Sequence, residues 1–447
     1  MSIEKIRVIG AGLAGAEAAW QASRLGAFVE LYEMKPHKHT PCHSSDGFAE
    51  LVCSNSFRSA QLSNAVGLLK EELRRLGSLI MEAADATSVP AGSALAVDRT
   101  KFSEYVTERI RSSEHITVFE EEVTKIPDDD VVTVIASGPL TSELLAKDID
   151  RLLQGSELHF FDAAAPIVDF STVDTDIAFF ASRYGKGDGD DYLNCPMTKE
   201  EYDAFYEALI SAETAHLKEF DENAQKEPEV FEGCMPVEVM ARRGYDTLRF
   251  GPMKPVGLPV PSTGKDAYAT VQLRRENREG TMYNLVGFQT HLTFGEQKRV
   301  FRMIPGLSHA EFFRYGVMHR NTYINSPGIL SPVYECLLQK NLFFAGQMTG
   351  VEGYIESAGS GFVAGINAAR RVLRKEELIF PKETMLGAMG NYVANGGLSG
   401  NFQPMNANFG IVPLLDRKVK GGKKFRNEAY SERSLAMIPQ LLEKIFS

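Results

Sequence analysis

Gly10-Ala11-Gly12-Leu13-Ala14-Gly15 is the run whose residue types and spacing most clearly serve chemistry. It follows a short strand, Lys5 to Ile9, and opens a helix, Ala14 to Leu25. In such a run one glycine permits a tight turn, one lets backbone approach a pyrophosphate, and one lets helix pack on strand. The helix N-terminus presents free N–H groups and a partial positive charge to the phosphates. Glu33 closes a second strand, Phe28 to Glu33, 23 residues after Gly10, where a carboxylate can accept from a ribose hydroxyl. Strand, helix, strand and acid in register predict a bound dinucleotide.

A second glycine-rich stretch lies near the other end: Asn341 to Gly350, then Val351 to Tyr354, Ser357, and Gly359-Ser360-Gly361. Again a strand delivers a glycine turn and a helix N-terminus. An N-terminal Rossmann unit that is completed from the C-terminus is the arrangement of a flavin site, so FAD is expected rather than NAD alone. The expected contacts are Gly10, Ala11, Gly12, Leu13, Ala14, Gly15, Glu33, Gly138, Gly346, Gln347, Gly350, Gly353 and Tyr354, with Tyr354 over the isoalloxazine ring. The five cysteines, Cys42, Cys53, Cys195, Cys234 and Cys336, are scattered and include no CxxC pair, so reduced thiols are expected. His37, His39, Cys42 and His43 cluster in one loop, but their spacing matches no metal-ligand pattern and no metal is expected.

The elements that must position these residues read as α/β: a Rossmann-type parallel sheet with an inserted α+β domain. The expected boundaries are 1–160 and 326–447 for a discontinuous FAD-binding domain and 161–325 for the insertion. Further expectations are a strand from Val131 to Ala136 before Gly138 and a polar loop over 185–191. Helices are expected from Lys199 to Phe220, from Asn64 to Leu76 and from Ser360 to Leu373, with a basic turn and a short helix at the C-terminus. The 44% apolar and 24% charged shares suit an ordinary globular chain. No apolar stretch approaches the roughly 20 residues of a membrane span, and no signal peptide is evident, so a cytoplasmic home without membrane contact is expected.

Net charge is −11, yet basic residues gather locally. The runs are Arg242, Arg243, Arg249 and Lys254; Arg274, Arg275 and Arg278; and Lys298, Arg299 and Arg302. The densest is Arg417, Lys418, Lys420, Lys423, Lys424 and Arg426, with no acid from Val419 to Phe425. Each run is read either as a solvated face or as a surface for a polyanion, with Lys420, Lys423 and Lys424 the candidate polyanion contacts.

Long segments carry a resemblance: Phe48 to Ser56 with its Cys-Ser-Asn-Ser, Phe231 to Gly244 with Glu-Gly-Cys-Met-Pro, Leu248 to Gly257, Tyr283 to His291, Glu296 to Leu307, and Arg314 to Pro327. Across most of its length the chain resembles the TrmFO family of folate- and FAD-dependent tRNA (uracil-5-)methyltransferases, relatives of the GidA-type flavoproteins. The resemblance implies transfer of a one-carbon unit from methylenetetrahydrofolate to C5 of a T-loop uridine in tRNA, with FAD reduced by NADPH or NADH. It also implies two functional cysteines, at Cys53 and Cys234. Uracil C5 becomes nucleophilic only after addition at C6, and a thiolate suits that addition. A second group must remove the C5 proton. Cys234 is assigned the attack and Cys53 the proton, although the sequence allows the exchange. Competing expectations are the same chemistry on a ribosomal-RNA uridine, an FAD thiol–disulfide oxidoreductase, and an RNA-binding protein whose FAD is structural.

Overall fold

Five parallel strands form the main sheet, in the order Leu342–Phe344, Val132–Ile135, Lys5–Ile9, Phe28–Glu33, Ile116–Glu120. The strand from late in the chain therefore lies beside strands from its beginning, completing the sheet as the two glycine turns require. The computed structural model describes residues 5–40, 42–154, 157–163, 165–185, 189–215, 235–277, 279–316, 318–396, 402–416 and 419–447. On the central strand Ile6 and Val8, which share one face, are fully covered, while Lys5 and Arg7 on the other face are only partly buried.

Two of those helices, Leu13–Arg24 and Tyr354–Val372, cross at unusually close range. A Cβ added at Gly361 would lie 2.1 Å from the carbonyl oxygen of Ala14, and one at Gly365 would lie 2.4 Å from that of Ala18. Small residues at spacing of four on both helices let backbone meet backbone. The later helix begins at Tyr354, six residues before the expected Ser360, because Gly353, at φ 119°, lets the turn run directly into it.

A second sheet of six strands is antiparallel and drawn from residues 167–314, in the order Phe179–Phe180, Tyr192–Met197, Ala269–Arg275, Met282–Leu285, Ile167–Asp169, Phe312–Arg314. It has its own apolar cluster, from Val168 to Ala310, separate from the cluster of the parallel sheet. The strands Glu157–Ala163 and Met318–Ile324 pair antiparallel where the chain passes into and out of this region. The fold is thus α/β with an inserted α+β unit.

Two helices differ from expectation. The helix begun at Lys199 by a Thr198–Glu201 capping box ends at Ile210, not Phe220. Thr214 bridges to Leu292 and Ala215 N donates to the His291 carbonyl, which turns the chain away; residues 216–220 lie outside the described residues. The C-terminal helix is long, Lys423–Phe446 over 24 residues, and buries Tyr430, Leu435, Ile438, Leu441 and Ile445 along one stripe. Lys423, Lys424 and Arg426 belong to its start and not to a preceding turn.

Glu72, fully buried on helix Ala65–Leu76, ties three helices together. It accepts from Met385 N at 2.7 Å, Leu386 N at 3.0 Å and Ser434 Oγ at 2.5 Å. Burial pushes its carboxyl up to about 7 against those three donors. The folded chain therefore keeps a proton that the unfolded chain releases near 4.5, and this contribution to stability falls as pH rises from 4.5 to about 7. We expect the unfolding free energy of the native protein, relative to Glu72→Gln, to fall by a few kcal/mol between pH 5 and pH 8, as checked by urea denaturation at each pH. We further expect Gly361→Ala or Gly365→Ala to cost about 1–3 kcal/mol or more, read as a lowered thermal midpoint, because the backbone contact cannot accommodate a methyl group.

Candidate active site

The glycine turn at 10–15 opens onto a cleft at the C-terminal ends of the parallel strands. Gly10, Ala11, Gly12, Leu13, Ala14, Glu33, Gly138, Gly346, Gln347 and Tyr354 line it, together with Val52 and Ser357. The glycines divide their roles as their surroundings dictate. A Cβ at Gly15 would sit 1.8 Å from the Gly10 carbonyl oxygen, so Gly15 serves helix-on-strand packing. A Cβ at Gly12 or Gly138 would meet no protein atom within 4 Å, which leaves the space over these residues to a ligand. Helix Leu13–Arg24 starts with no side-chain cap and no acid in its first turn, so its leading amides face the cleft uncompensated. These features fit a dinucleotide.

Glu33 is held in place from two sides. One carboxylate oxygen accepts from Ala11 N at 2.8 Å and the other from Lys35 N at 3.1 Å. A carboxylate accepts up to about four hydrogen bonds, so capacity remains for a ribose hydroxyl. Gly350 and Gly353 do not line the cleft. Both have positive φ, and side chains there would strike the Phe402 ring and Glu356 Oε2 respectively, so they shape the turn.

Cys53 lies beside the cleft in an irregular loop, 51–55, in which side chains hold the amides of 53 and 54 and the carbonyls of 51, 52 and 53. The Tyr354 hydroxyl accepts from Cys53 N at 2.8 Å and from Ser54 N at 3.0 Å. Burial pushes that phenol up, so it remains protonated and its O–H is a donor. Arg99 donates through Nη1 to the Leu51 carbonyl and through Nη2 to the Cys53 carbonyl at 3.4 Å. Arg314 takes the carbonyl between them, Val52, at 2.9 Å, and that of Cys42 at 3.2 Å. Arg274 donates to Ser54 Oγ at 2.9 Å and Asn55 Oδ1 at 3.0 Å. Asn55 in turn donates to the carbonyls of Val97 and Arg275, at 2.9 and 3.0 Å.

The residue that follows strand Ala269–Arg275 of the inserted unit supplies the counter-charge. Glu276, 1% exposed, accepts from Arg99 Nε at 2.6 Å and Nη2 at 3.4 Å, and from Asn284 Nδ2. Burial opposes the Arg99 charge, but Glu276 outweighs it and holds the guanidinium more firmly protonated than usual. For Arg274 burial wins and lowers its basicity, despite Glu276.

Other expected residues fall elsewhere. Cys234 lies outside the described residues, as do Arg278, Arg417, Lys418 and residues 186–188 of the polar loop. Cys42, Cys195 and Cys336 are buried, and burial pushes the last two thiols up, as suits packing residues. In the histidine loop, His39 Nε2 meets Asp46 at 2.8 Å and His43 Nδ1 meets Thr40 Oγ1 at 3.0 Å. The reading of Arg274 as a surface cation is overturned: it is buried and bonded to the Cys53 loop. Arg299 and Arg302 pair with Glu296 and Glu311. Lys420, Lys423 and Lys424 are exposed.

Comparison with known proteins places these features in a family. Residues 5–376 match the family model described as glucose inhibited division protein A. A curated protein of Halalkalibacterium halodurans, named methylenetetrahydrofolate–tRNA-(uracil-5-)-methyltransferase TrmFO, is 58% identical over 445 residues and covers 100% of both chains. A protein of the same name from Lactobacillus acidophilus is 59% identical over 435 residues, covering 97% of this chain and 98% of its own. Among solved structures, Aquifex aeolicus GidA superposes with a TM-score of 0.70 at 19% identity, covering 99% of this chain and 75% of that one.

Arg99, Arg314, Asn55 and Glu276 were not singled out by sequence, because an arginine that binds carbonyls has the same letter as one that binds phosphate. The only local signal was position: Asn55 and Arg314 lie inside segments that carry the resemblance. Glu276→Gln leaves Arg99 buried without its counter-charge, and we expect it to cost about 3–5 kcal/mol in urea unfolding of the holoprotein. Replacing both Arg99 and Glu276 by methionine should cost less than the sum of the single changes, measured as a double-mutant cycle.

Proposed function

Because the chain belongs to the glucose inhibited division protein A family and, within it, to the TrmFO methyltransferases, we propose that it methylates C5 of a T-loop uridine in tRNA. Methylenetetrahydrofolate is the one-carbon donor, and NADPH or NADH is the source of electrons. The observation that carries this reading at the level of the site is the juxtaposition of a dinucleotide cleft with a thiol loop, joined through Val52 and Tyr354. In the cleft, the amides of 12–14 would hold the FAD pyrophosphate and Glu33, anchored on Ala11 N, a ribose, with Gly138, Gly346, Gln347 and Tyr354 around the remainder. When bound, FAD supplies the reducing equivalents that complete the methyl group.

The chain's own residues handle the uracil. A Cys234 thiolate adds to C6 and raises the electron density at C5, and Cys53 Sγ takes the C5 proton before the adduct collapses. The assignment of Cys234 rests on the chemistry and on the Glu-Gly-Cys-Met-Pro motif. Support for Cys53 is structural: the Tyr354 hydroxyl and the arginines fix the backbone on both sides of its thiol, so the base is pre-positioned. The fixed loop and the half-buried setting of Cys53 also limit water at the reacting atoms.

The same reading assigns residues 1–160 and 326–447 to the FAD-binding domain and 161–325 to the insertion, supported by the two separate apolar clusters. It assigns tRNA backbone contacts to Lys420, Lys423 and Lys424. Lys423 and Lys424 open a helix with no acid in its first turn, where cations oppose the helix dipole; an approaching polyanion would relieve that repulsion. No helix among the described residues is long and apolar enough to cross a membrane. We place the protein in the cytoplasm with its RNA substrate.

The test uses the holoprotein, methylenetetrahydrofolate labelled in its one-carbon unit, NADPH and an unmodified tRNA transcript. Label should appear in 5-methyluridine at the T-loop position by mass spectrometry of the digested RNA. Cys53→Ala should lower the rate by about 10²–10⁴-fold while tRNA still binds. Full activity of that variant would remove Cys53 from the reaction, and absence of label with reducible FAD would remove the tRNA substrate.

A further inference from the structure

The strip of the inserted unit from 242 to 257 has features that neither its core nor the active site uses. In a chain of net charge −11 it carries Arg242, Arg243, Arg249 and Lys254 against a single acid, Asp246. That acid is taken by Arg249 at 2.6 Å. Arg242 and Arg243 are exposed, and neither makes an ion pair with another described residue. Arg183 runs along the strip and adds a further positive charge, donating to the carbonyls of Val256 and of Lys254, the latter at 2.8 Å.

Two aromatic side chains stand on this basic face. Phe250, at the end of helix Thr247–Phe250, is 83% exposed, while its neighbour Leu248 is wholly buried and anchors the turn. Tyr184 is 61% exposed and holds φ 58°, a left-handed conformation that is costly for a residue with a Cβ. Its backbone N donates to the Gly257 carbonyl at 3.1 Å. Its ring lies against Gly257, so close that a Cβ there would come within 2.5 Å of it, and most of the residue stays open to solvent. The outcome of this strain is an aromatic ring held against Gly257 and presented to solvent, next in sequence to Arg183. Rings with a free face interleaved with cations are what unstacked nucleotides bind: the base stacks and the phosphate meets the charge.

We propose that this strip is a docking surface for the RNA substrate, with Phe250 and Tyr184 stacking on unstacked bases and Arg242 and Arg243 holding the adjoining phosphates. The inference rests on the tRNA reading above and adds a surface remote in sequence from the C-terminal lysines.

The experiment uses FAD-loaded protein and an unmodified tRNA transcript, with Kd measured across a salt series and KM and kcat from methyl transfer. Phe250→Ala and Tyr184→Ala should each raise Kd and KM about ten-fold with kcat unchanged, and Phe250→Trp should bind as the native protein does. Arg242→Gln with Arg243→Gln should flatten the plot of log K against log salt by about two. FAD content and thermal midpoint are read on every variant, so a folding defect is recognised as such, and the tryptophan variant then decides. Unchanged Kd and KM in the alanine variants would overturn the strip alone. A change in oligomeric state by sedimentation with unchanged tRNA affinity would overturn it in favour of self-association. Native holoprotein that fails to bind the transcript would overturn the tRNA reading itself.

Discussion

The ion pair between Arg99 and Glu276 is the contact on which the rest of the site depends. A loop without regular hydrogen bonding cannot be buried unless its N–H and C=O groups find partners. Loop 51–55 finds them in side chains: consecutive carbonyls at 51, 52 and 53 are taken by Arg99, Arg314 and again Arg99. Burying guanidinium groups this way is costly unless a counter-charge is also buried. Glu276 is that counter-charge, and it comes from the other unit, directly after strand Ala269–Arg275. The thiol loop is consequently complete only when both units are in place, although the cleft is built from the parallel-sheet unit.

The cleft depends on a second constraint, the close crossing of helices Leu13–Arg24 and Tyr354–Val372. Gly361 and Gly365 let the C-terminal segment approach near enough for Gly346, Gln347 and Tyr354 to face the first glycine turn across one cleft. The Gly346 amide is itself anchored by Ser360 Oγ at 2.7 Å, a residue of the same crossing helix. Tyr354 then joins the two constraints. Its ring belongs to the cleft, and its hydroxyl belongs to the loop of Cys53. Tyr354 is thus the side chain shared by the cleft and the Cys53 loop, beside the arginines that hold that loop from its other side.

Charge is arranged by context more than by amount. The overall acidity coexists with arginines that serve three separate ends: internal clamps at Arg99, Arg274 and Arg314, surface pairs at Arg299 and Arg302, and exposed cations at Arg242 and Arg243. Desolvation separates these classes. A buried guanidinium must spend its donors on protein acceptors, whereas an exposed one retains them for a partner.

By itself the sequence determined the dinucleotide-binding fold and the family, because both are written in contiguous residues. A glycine turn between strand and helix carries its function in local backbone freedom, and Leu-Val-Cys-Ser-Asn is recognisable as a string. The split of the chain into a parallel sheet completed from its far end and an inserted unit was equally legible, since the second glycine turn announces the return. Only the tertiary structure decided that Arg274 faces inward, that the third glycine of the first turn packs while the second leaves room for a ligand, and that Glu276 holds Arg99. Those facts arise between residues as much as 220 positions apart, as with Arg274 and Ser54, where no local pattern sets which acceptor a donor meets. Burial makes that choice. It removes water as a competitor, and it becomes definite only when the chain has closed around the loop.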